Sequence, residues 1–425
     1  MSWRTVPLHK VASLESGFGF PRGNQGDENQ EFPFFRVSDM NIPGNEVFMK
    51  NHSNTVSAAI LKELGARAFP AGTVIFPKIG AAIATEKKRI LTKPATFDNN
   101  VMGAVPKDAV NPRFLYYWFL RLKLTDFANP GHVPSIRKSV MEEIPFPVVA
   151  PSEQSRIGEL LDEADRLRRL RREADAKAAR ILPALFLKMF GDPARNPMGW
   201  PVRPLSAFAD TVSRRNPSTR PDEMFRYIDI AGVDGEKGII TTAKTLAGRD
   251  APSRARQVVR WRDTLISTVR PYLRATALVP RELDDEIAST GFCVLRPKIQ
   301  NGYAWQYQLT RQQWFTEQLN ARARGASYPA VTDADIFQLC VPVPTDLALL
   351  ERFDNEFETI SETLAKASNV SLKVDELFNL LLQKAFSGQL TAKWREAHMK
   401  EVLAEMEQQA HALNLPMPKE LEALP

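Results

Sequence analysis

The stretch Ser152–Phe190, SEQSRIGELLDEADRLRRLRREADAKAARILPALFLKMF, decides how the chain is organised. Apolar residues recur in it at Ile157, Leu160, Ala164, Leu167, Leu170, Ala174, Ala178, Ile181 and Leu185. Steps of three and four residues put them on one face of a helix. Pro151 and the acidic Glu153 mark its start, and Gly191-Asp192-Pro193 its stop. Pro183 falls inside the pattern and is expected to kink the helix or split off its last two turns. At about 1.5 Å per residue this is a rod of roughly 57 Å. A narrow apolar seam of that length needs a partner helix.

The same chain supplies one. Asp346–Phe386 carries Phe353, Phe357, Ile360, Leu364, Ala367, Val374, Phe378 and Leu381 in alternating steps of four and three, interrupted only by Ser371. That is a heptad seam. The two helices also end alike, Leu187-Lys188-Met189-Phe190-Gly191 answering Gln383-Lys384-Ala385-Phe386-Ser387-Gly388.

The segments between them repeat as well. Trp3–Leu8 answers Trp200–Leu205, an offset of 200 − 3 = 197. Phe35–Ser38 answers Arg226–Asp229, and Gly72–Ile75 answers Asp263–Ile266, both at 191. Val133-Pro134 and Ile144–Pro147 answer Tyr328-Pro329 and Leu339–Pro342 at 195, and the long helices follow at 352 − 156 = 196. Ordered matches at a nearly constant offset predict an internal duplication. Within each copy short strands come first, around Val74–Phe76 and Met102–Val105 and around Leu265–Ser267 and Phe292–Leu295. One helix follows in each, Pro112–Phe127 and Tyr303–Ala323, before a Pro-rich extended exit. The expected architecture is α+β: two repeated domains of mixed β-sheet plus helices, separated by two long antiparallel coiled-coil helices in a pseudo-twofold internal repeat. The expected bounds are 1–150 and 193–345 for the domains, 151–192 and 346–390 for the long helices, and 391–425 for a helical tail centred on Lys393–Leu413.

Composition narrows the function. The chain has 425 residues, too many for one hydrophobic core, and a formal charge of +6 compatible with nucleic acid. With only Cys293 and Cys340, neither a disulfide framework nor a four-cysteine zinc site can be built. Met1-Ser2-Trp3-Arg4 opens no apolar run of signal-peptide length and no stretch is long enough to span a membrane, so a cytoplasmic location is expected. No phosphate-binding loop occurs, Gly17-Phe18-Gly19 lacks the third glycine of a dinucleotide loop and is expected to be a surface turn, and the five histidines have no zinc spacing. The Asn-Pro-Pro-aromatic signature of amino-methyltransferases is also missing. No catalytic constellation is expected.

Basic and amide side chains instead recur on loops flanking the strands of both copies. In the first they are Arg36, Lys78, Asn99, Asn100, Arg137 and Lys138; in the second Arg270 and Arg274 are joined by the hydroxyl-bearing Tyr227, Tyr272, Thr290 and Tyr328. Arg and Lys contact phosphates or guanine O6 and N7, and Asn bridges adenine N6 and N7. Taken singly, each is as well explained as a solvated surface group; their recurrence makes the set a candidate DNA interface. Arg166–Arg172 packs five arginines into seven positions, and Arg168, Arg169 and Arg172 are candidates for docking a partner or, slightly less favoured, for contacting DNA phosphates, against a solvated face paired with nearby carboxylates.

This order of parts resembles the specificity subunit of type I restriction–modification systems. The likeness is carried by Trp200–Leu205, by the Gly131–Pro134 and Gly325–Pro329 exits, and by the helix ends Leu185–Pro193 and Lys384–Thr391. One departure is Cys340, where the first copy has Pro145. The resemblance implies that each domain is a target recognition domain reading one half of a bipartite, asymmetric DNA sequence. It implies that the helices separate the domains and dock two methyltransferase subunits, joined by restriction and translocase subunits. S-adenosylmethionine, ATP and Mg²⁺ would then belong to those partners, with no cofactor, metal or catalytic residue in this chain. Two readings of other classes are a stand-alone DNA-binding scaffold or regulator and a coiled-coil adaptor that binds only protein.

Overall fold

A computed structural model describes residues 3–298 and 301–415; Met1, Ser2 and the Pro-containing end of the tail, 416–425, lie outside them. The chain divides into two compact units, the first running up to Leu170 and again from Leu372, the second being Arg171–Ser371. The division falls inside both long helices, so each unit holds one globular domain and a piece of each helix.

In the first unit a sheet is ordered Ala12–Ser16, Val101–Pro106, Val74–Pro77, Arg89–Leu91, Phe48–Met49. Alternation sends Val74 and Phe76 to one face, against the helix Pro112–Arg121 and its Phe114, Leu115 and Trp118. Ile75 and Val101 face the other way, towards Phe35 and Phe97 of a small sheet, Thr55–Val56, Phe32–Phe35, Thr96–Phe97. Asn111 caps the helix, its side chain accepting from the Arg113 and Phe114 amides, and Pro112 occupies the first turn, where no amide donor is needed.

The second unit is built on the same plan. Ala209–Asp210, Phe292–Pro297, Thr264–Ser267 and Thr276–Leu278 form one sheet, and Lys244–Ala247, Met224–Ile228, Ile287–Ser289 and Ala255–Val258 the other. Ile266 faces the helix layer with Trp305 and Tyr307, while Leu265 faces Ile228, Ala288 and Phe292. The expected helix Tyr303–Ala323 is two, Tyr303–Thr310 and Gln313–Arg322, and the first-unit helix ends at Arg121 with a 3-10 turn, Leu124–Phe127, beyond it.

The duplication holds down to strand pairing, with two corrections of register. Thr5 pairs with Pro147 and Val202 with Pro342, Pro7 with Pro145 and Pro204 with Cys340, at the 197 and 195 offsets of the sequence match. Leu8 and Leu205 then donate to the Ile144 and Leu339 carbonyls, each at 3.0 Å. Around Val74, however, the structural offset is 190: Val74, not Ile75, shares its sheet face with the helix, as Thr264 and Ile266 do in the second copy. A match at 191 would turn every side chain to the opposite face. Around Phe35 the offset is 193. Phe35 and Ile228 pair with Phe97 and Ala288 in parallel strands, and Arg36 and Asp229 each precede a 3-10 turn.

The central helix runs Pro151–Ala178 and resumes as Ile181–Phe190. The break precedes Pro183 because a proline ring clashes with the carbonyl four residues earlier, at Ala179; Pro183 itself then sits harmlessly in a first turn. In the first unit Ile157 and Leu161 pack with Phe378, Leu382 and Phe386 of the C-terminal helix Leu347–Phe386. In the second, Leu182, Phe186 and Phe190 pack with Leu350, Phe353 and Phe357. Each phenylalanine so buried contributes about 1.5–3 kcal/mol. The C-terminal seam follows its heptads, but the central one is rotated: Leu161 is buried while Leu167 and Leu170 are 52% and 47% exposed. Ser371, the gap in the heptads, is a polar layer, with Arg171 Nε donating to its Oγ at 2.9 Å and its hydroxyl donating to Asp175.

The tail forms two helices, Ala392–Ala397 and Met399–Ala412, and packs on the first unit. Arg395 donates to Glu153 through Nε (2.9 and 3.0 Å) and Nη2 (2.7 Å), a pair with Glu153 1% and Arg395 9% exposed.

Candidate nucleic-acid interface

In the first unit three segments meet where the strand Val74–Pro77 ends. The Lys78 amide donates to the Asn100 carbonyl, the Ile136 amide to the Lys78 carbonyl and the Gly80 amide to the Pro134 carbonyl, each at 2.8 Å. These bonds join the strand end, the Asp98–Val101 turn and a hairpin in which Ala128 pairs with Ile136 and Asn129 with Ser135. Lys78 Nζ donates to Ser16 Oγ at 2.8 Å. Burial lowers the Lys78 ammonium pKa, with the Asp98 carboxylate acting against that shift. Asp98 is itself pushed above the usual carboxylate range by burial, although it accepts from the Asn100 amide at 2.9 Å. The chain at Gly17 passes directly beneath this turn; a Cβ there would lie 1.9 Å from the Asp98 carbonyl oxygen. Gly17 is thus a packing requirement rather than only a surface turn.

Arg36 is half-buried beside this turn, its Nη1 donating to Gln25 Oε1 at 3.2 Å and its charge lowering the Asp98 pKa. Asn99 is exposed at the turn, Arg137 and Lys138 are exposed just past the hairpin, and Lys138 lies 3.7 Å from Glu142. The fold therefore gathers Arg36, Lys78, Asn99, Asn100, Arg137 and Lys138 around one end of the sheet. Ser16, Gln25 and Asp98 complete the cluster and had no signal in the sequence, since they hold the cationic groups rather than repeat with them.

The second unit repeats the ladder. The Thr268 amide donates to the Gly291 carbonyl at 2.9 Å, Val331 to Thr268 at 2.9 Å and Arg270 to Pro329 at 2.7 Å. Thr290 is exposed on the turn, its amide donating to the Arg254 carbonyl at 2.9 Å, and Arg254 is a further exposed cation that the sequence match missed. The Arg270 guanidinium lies 4.3 Å from the centroid of the Tyr328 ring, which is 66% exposed. Tyr272 is 51% exposed, and Arg274 donates to the Arg311 carbonyl, with burial and the Arg311 charge both lowering its pKa. The ladder brings Arg270, Thr290 and Tyr328 together, with Tyr272 and Arg274 on the 3-10 turn that follows Arg270.

Tyr227 does not belong to this surface. It is 4% exposed in a core with Phe225, Val258 and Ile287. The sequence match set it opposite Arg36, but with the offset of 193 its counterpart is the buried Phe34; core residues of a strand cannot reach a duplex. The arginine cluster also needs correction. Arg168 is paired with the buried Asp165 at 2.5 Å and lies 4.0 Å over the Phe378 ring, and Arg169 Nε is 3.1 Å from the same carboxylate. Arg168 is thus held against the C-terminal helix instead of standing free for a partner, whereas Arg169 is paired along its own helix with its side chain 41% exposed. Arg172 is exposed on the helix of the second unit.

Each domain is fastened to the helix that follows it by one carboxylate serving an arginine and a tyrosine. Asp162 accepts from the Tyr117 hydroxyl at 2.8 Å and from Arg113 Nη1 at 2.5 Å. Glu358, at the helix offset of 196, accepts from the Tyr303 hydroxyl at 3.0 Å and from Arg262 Nη2. Such fastening holds the loop cluster on a rigid base, which is what base recognition requires.

Residues 2–177 match the family model for the type I restriction modification DNA specificity domain. The chain is 21% identical over 436 residues to the EcoDI specificity subunit of Escherichia coli, covering 93% of this chain and 90% of that relative. It is also similar to the HsdS subunit of Thermoanaerobacter tengcongensis, at 35% identity over 49% of this chain and 50% of that one, with a TM-score of 0.33. A type I restriction-modification S subunit from M. genitalium matches 90% of this chain and 96% of its own at 14% identity, with a TM-score of 0.49. The chain is thus similar to type I restriction–modification specificity subunits, the family model covering its first domain and most of the central helix. That kinship does not favour a stand-alone scaffold. Among the described residues no helix is long and apolar enough to cross a membrane.

Proposed function

We propose that each domain reads one half of a bipartite, asymmetric DNA target, and that the long helices dock methyltransferase subunits, two per chain, to which restriction and translocase subunits are added. The reading rests on one observation: the same hydrogen-bonded ladder occurs in both units, but with different side chains on it. Lys78, Gly80 and Asn100 stand where the second unit has Thr268, Arg270 and Gly291. A shared backbone frame with diverged side chains suits two readers of unlike sequences, as a symmetric dimer suits a palindrome. Phosphate contacts from the exposed cations supply affinity and salt dependence, and the few base contacts supply choice.

The exposed Leu167 and Leu170 of the first unit join Arg169 and Arg172 as docking candidates, while Arg168 is held over the Phe378 ring. On this proposal S-adenosylmethionine, ATP and Mg²⁺ are bound by the partner subunits, and the complex works in the cytoplasm. Methylome sequencing of cells expressing the chain with its methyltransferase tests the proposal. The expected motif has two unlike specific halves separated by unspecified bases. A single continuous motif, or a perfect palindrome, would overturn it.

A further inference from the structure

Resting on the proposal that the second domain reads its own half-site, the structure assigns Arg270 as a specificity-determining residue that recognises a guanine through O6 and N7, a contact for which the first domain has no equivalent. Among the matched positions at which the two domains differ, one pair bears directly on this contact. Gly80 and Arg270 occupy the same place in the ladder, donating to Pro134 and Pro329 at 2.8 and 2.7 Å. Both have positive φ, +75° and +51°. Glycine adopts this conformation freely, whereas a long side chain there costs on the order of 1 kcal/mol or more. A Cβ added at Gly80 would meet nothing within 4 Å, so packing does not bar a side chain from the first copy.

The partner position differs in step. Val133 and Tyr328, the residues just before those prolines, are 63% and 66% exposed. In the first domain an exposed valine thus accompanies a glycine; in the second an exposed tyrosine ring carries the arginine, 4.3 Å from its centroid. Stacking on an aromatic face orients the planar guanidinium while leaving its edge donors available. Arg270 Nε is buried without a hydrogen-bond partner, and among the described residues its side chain has no ion pair with a carboxylate. A planar, pre-oriented donor fork on a strained backbone at the rim of the candidate interface matches the two acceptors that guanine presents in the major groove.

The test uses the complex of the full chain with its methyltransferase subunits and duplexes carrying its methylome-defined target. Each guanine in the half assigned to the second domain is replaced in turn by 7-deazaguanine, which removes the N7 acceptor. With the wild-type chain, one position should weaken binding by roughly 5- to 100-fold. In R270G, which relieves the backbone strain, binding should already be weaker, and the same replacement should make no further difference. R270N, a residue tolerant of positive φ, should behave likewise. No sensitive guanine in that half, or an equal penalty in R270G and R270N, would overturn the assignment. If the wild-type complex gives no two-part motif, the underlying reading fails instead, a result distinct from either outcome.

Discussion

At the scale of single residues, what a loop position offers DNA depends on which way the strand beneath it faces. Lys78 leaves its strand at the rim and keeps its ammonium group 2.8 Å from Ser16 Oγ, whereas Tyr227 stays inside its strand and is 4% exposed. Lys78→Ala should therefore weaken binding about equally for all sequences and make the slope of log K against log salt shallower by about one. Tyr227→Phe should leave both the motif and the salt slope unchanged and cost no more than about 1.5 kcal/mol of stability. Titrations at several salt concentrations check both; a changed motif in Tyr227→Phe would return that residue to the interface. The sequence made the rim legible as a set of recurring cations and amides. It did not reveal Asp98 or Ser16, which act by holding those groups, nor the unequal offsets of 190 and 193, because weakly shared residues cannot resolve a register of one or two positions.

At the scale of elements, apolar periodicity located both long helices and the strands of each domain, because these elements bury one face and leave the other polar. It failed where a polar contact or the neighbouring domain overrides the seam. Leu167 and Leu170 fit the heptads yet face outward, while Arg168 lies over Phe378, and Pro183 breaks its helix at the residues before it. The tail shows the same limit. Its charged sequence predicts a helix but no packing partner, yet Arg395 and Thr391 both bond the buried Glu153, and Glu405 accepts from the Ser152 amide at 2.9 Å. The tail therefore completes the first unit. Arg395→Ala should destabilise that unit by about 3–5 kcal/mol, because it leaves the Glu153 carboxylate buried without its cation. Denaturant unfolding followed by a probe in the first domain measures this, and Glu153→Gln added to Arg395→Ala should recover part of the loss. A cost below about 1 kcal/mol would mean that the tail does not close the unit.

At the scale of the whole molecule, duplication gives one chain two domains on one backbone plan, which the proposed function makes two readers. The repeat was legible because its strongest signals lie at domain entrances and exits: Trp3–Leu8 against Trp200–Leu205, and Ile144–Pro147 against Leu339–Pro342. There the paired strands Thr5–Pro7 with Pro145–Pro147 and Val202–Pro204 with Cys340–Pro342 fix where each domain begins and ends. The recognition loops between them have diverged, which is what independent targets require and why sequence alone could only nominate their residues. The central claim is that the two domains read separately. Its most direct test replaces residues 1–150 with the matching domain of a relative of known target, expresses the hybrid with its methyltransferase, and sequences the methylome. One half of the motif should become that of the donor while the other stays as it was; a change in both halves, or in neither, would contradict the account.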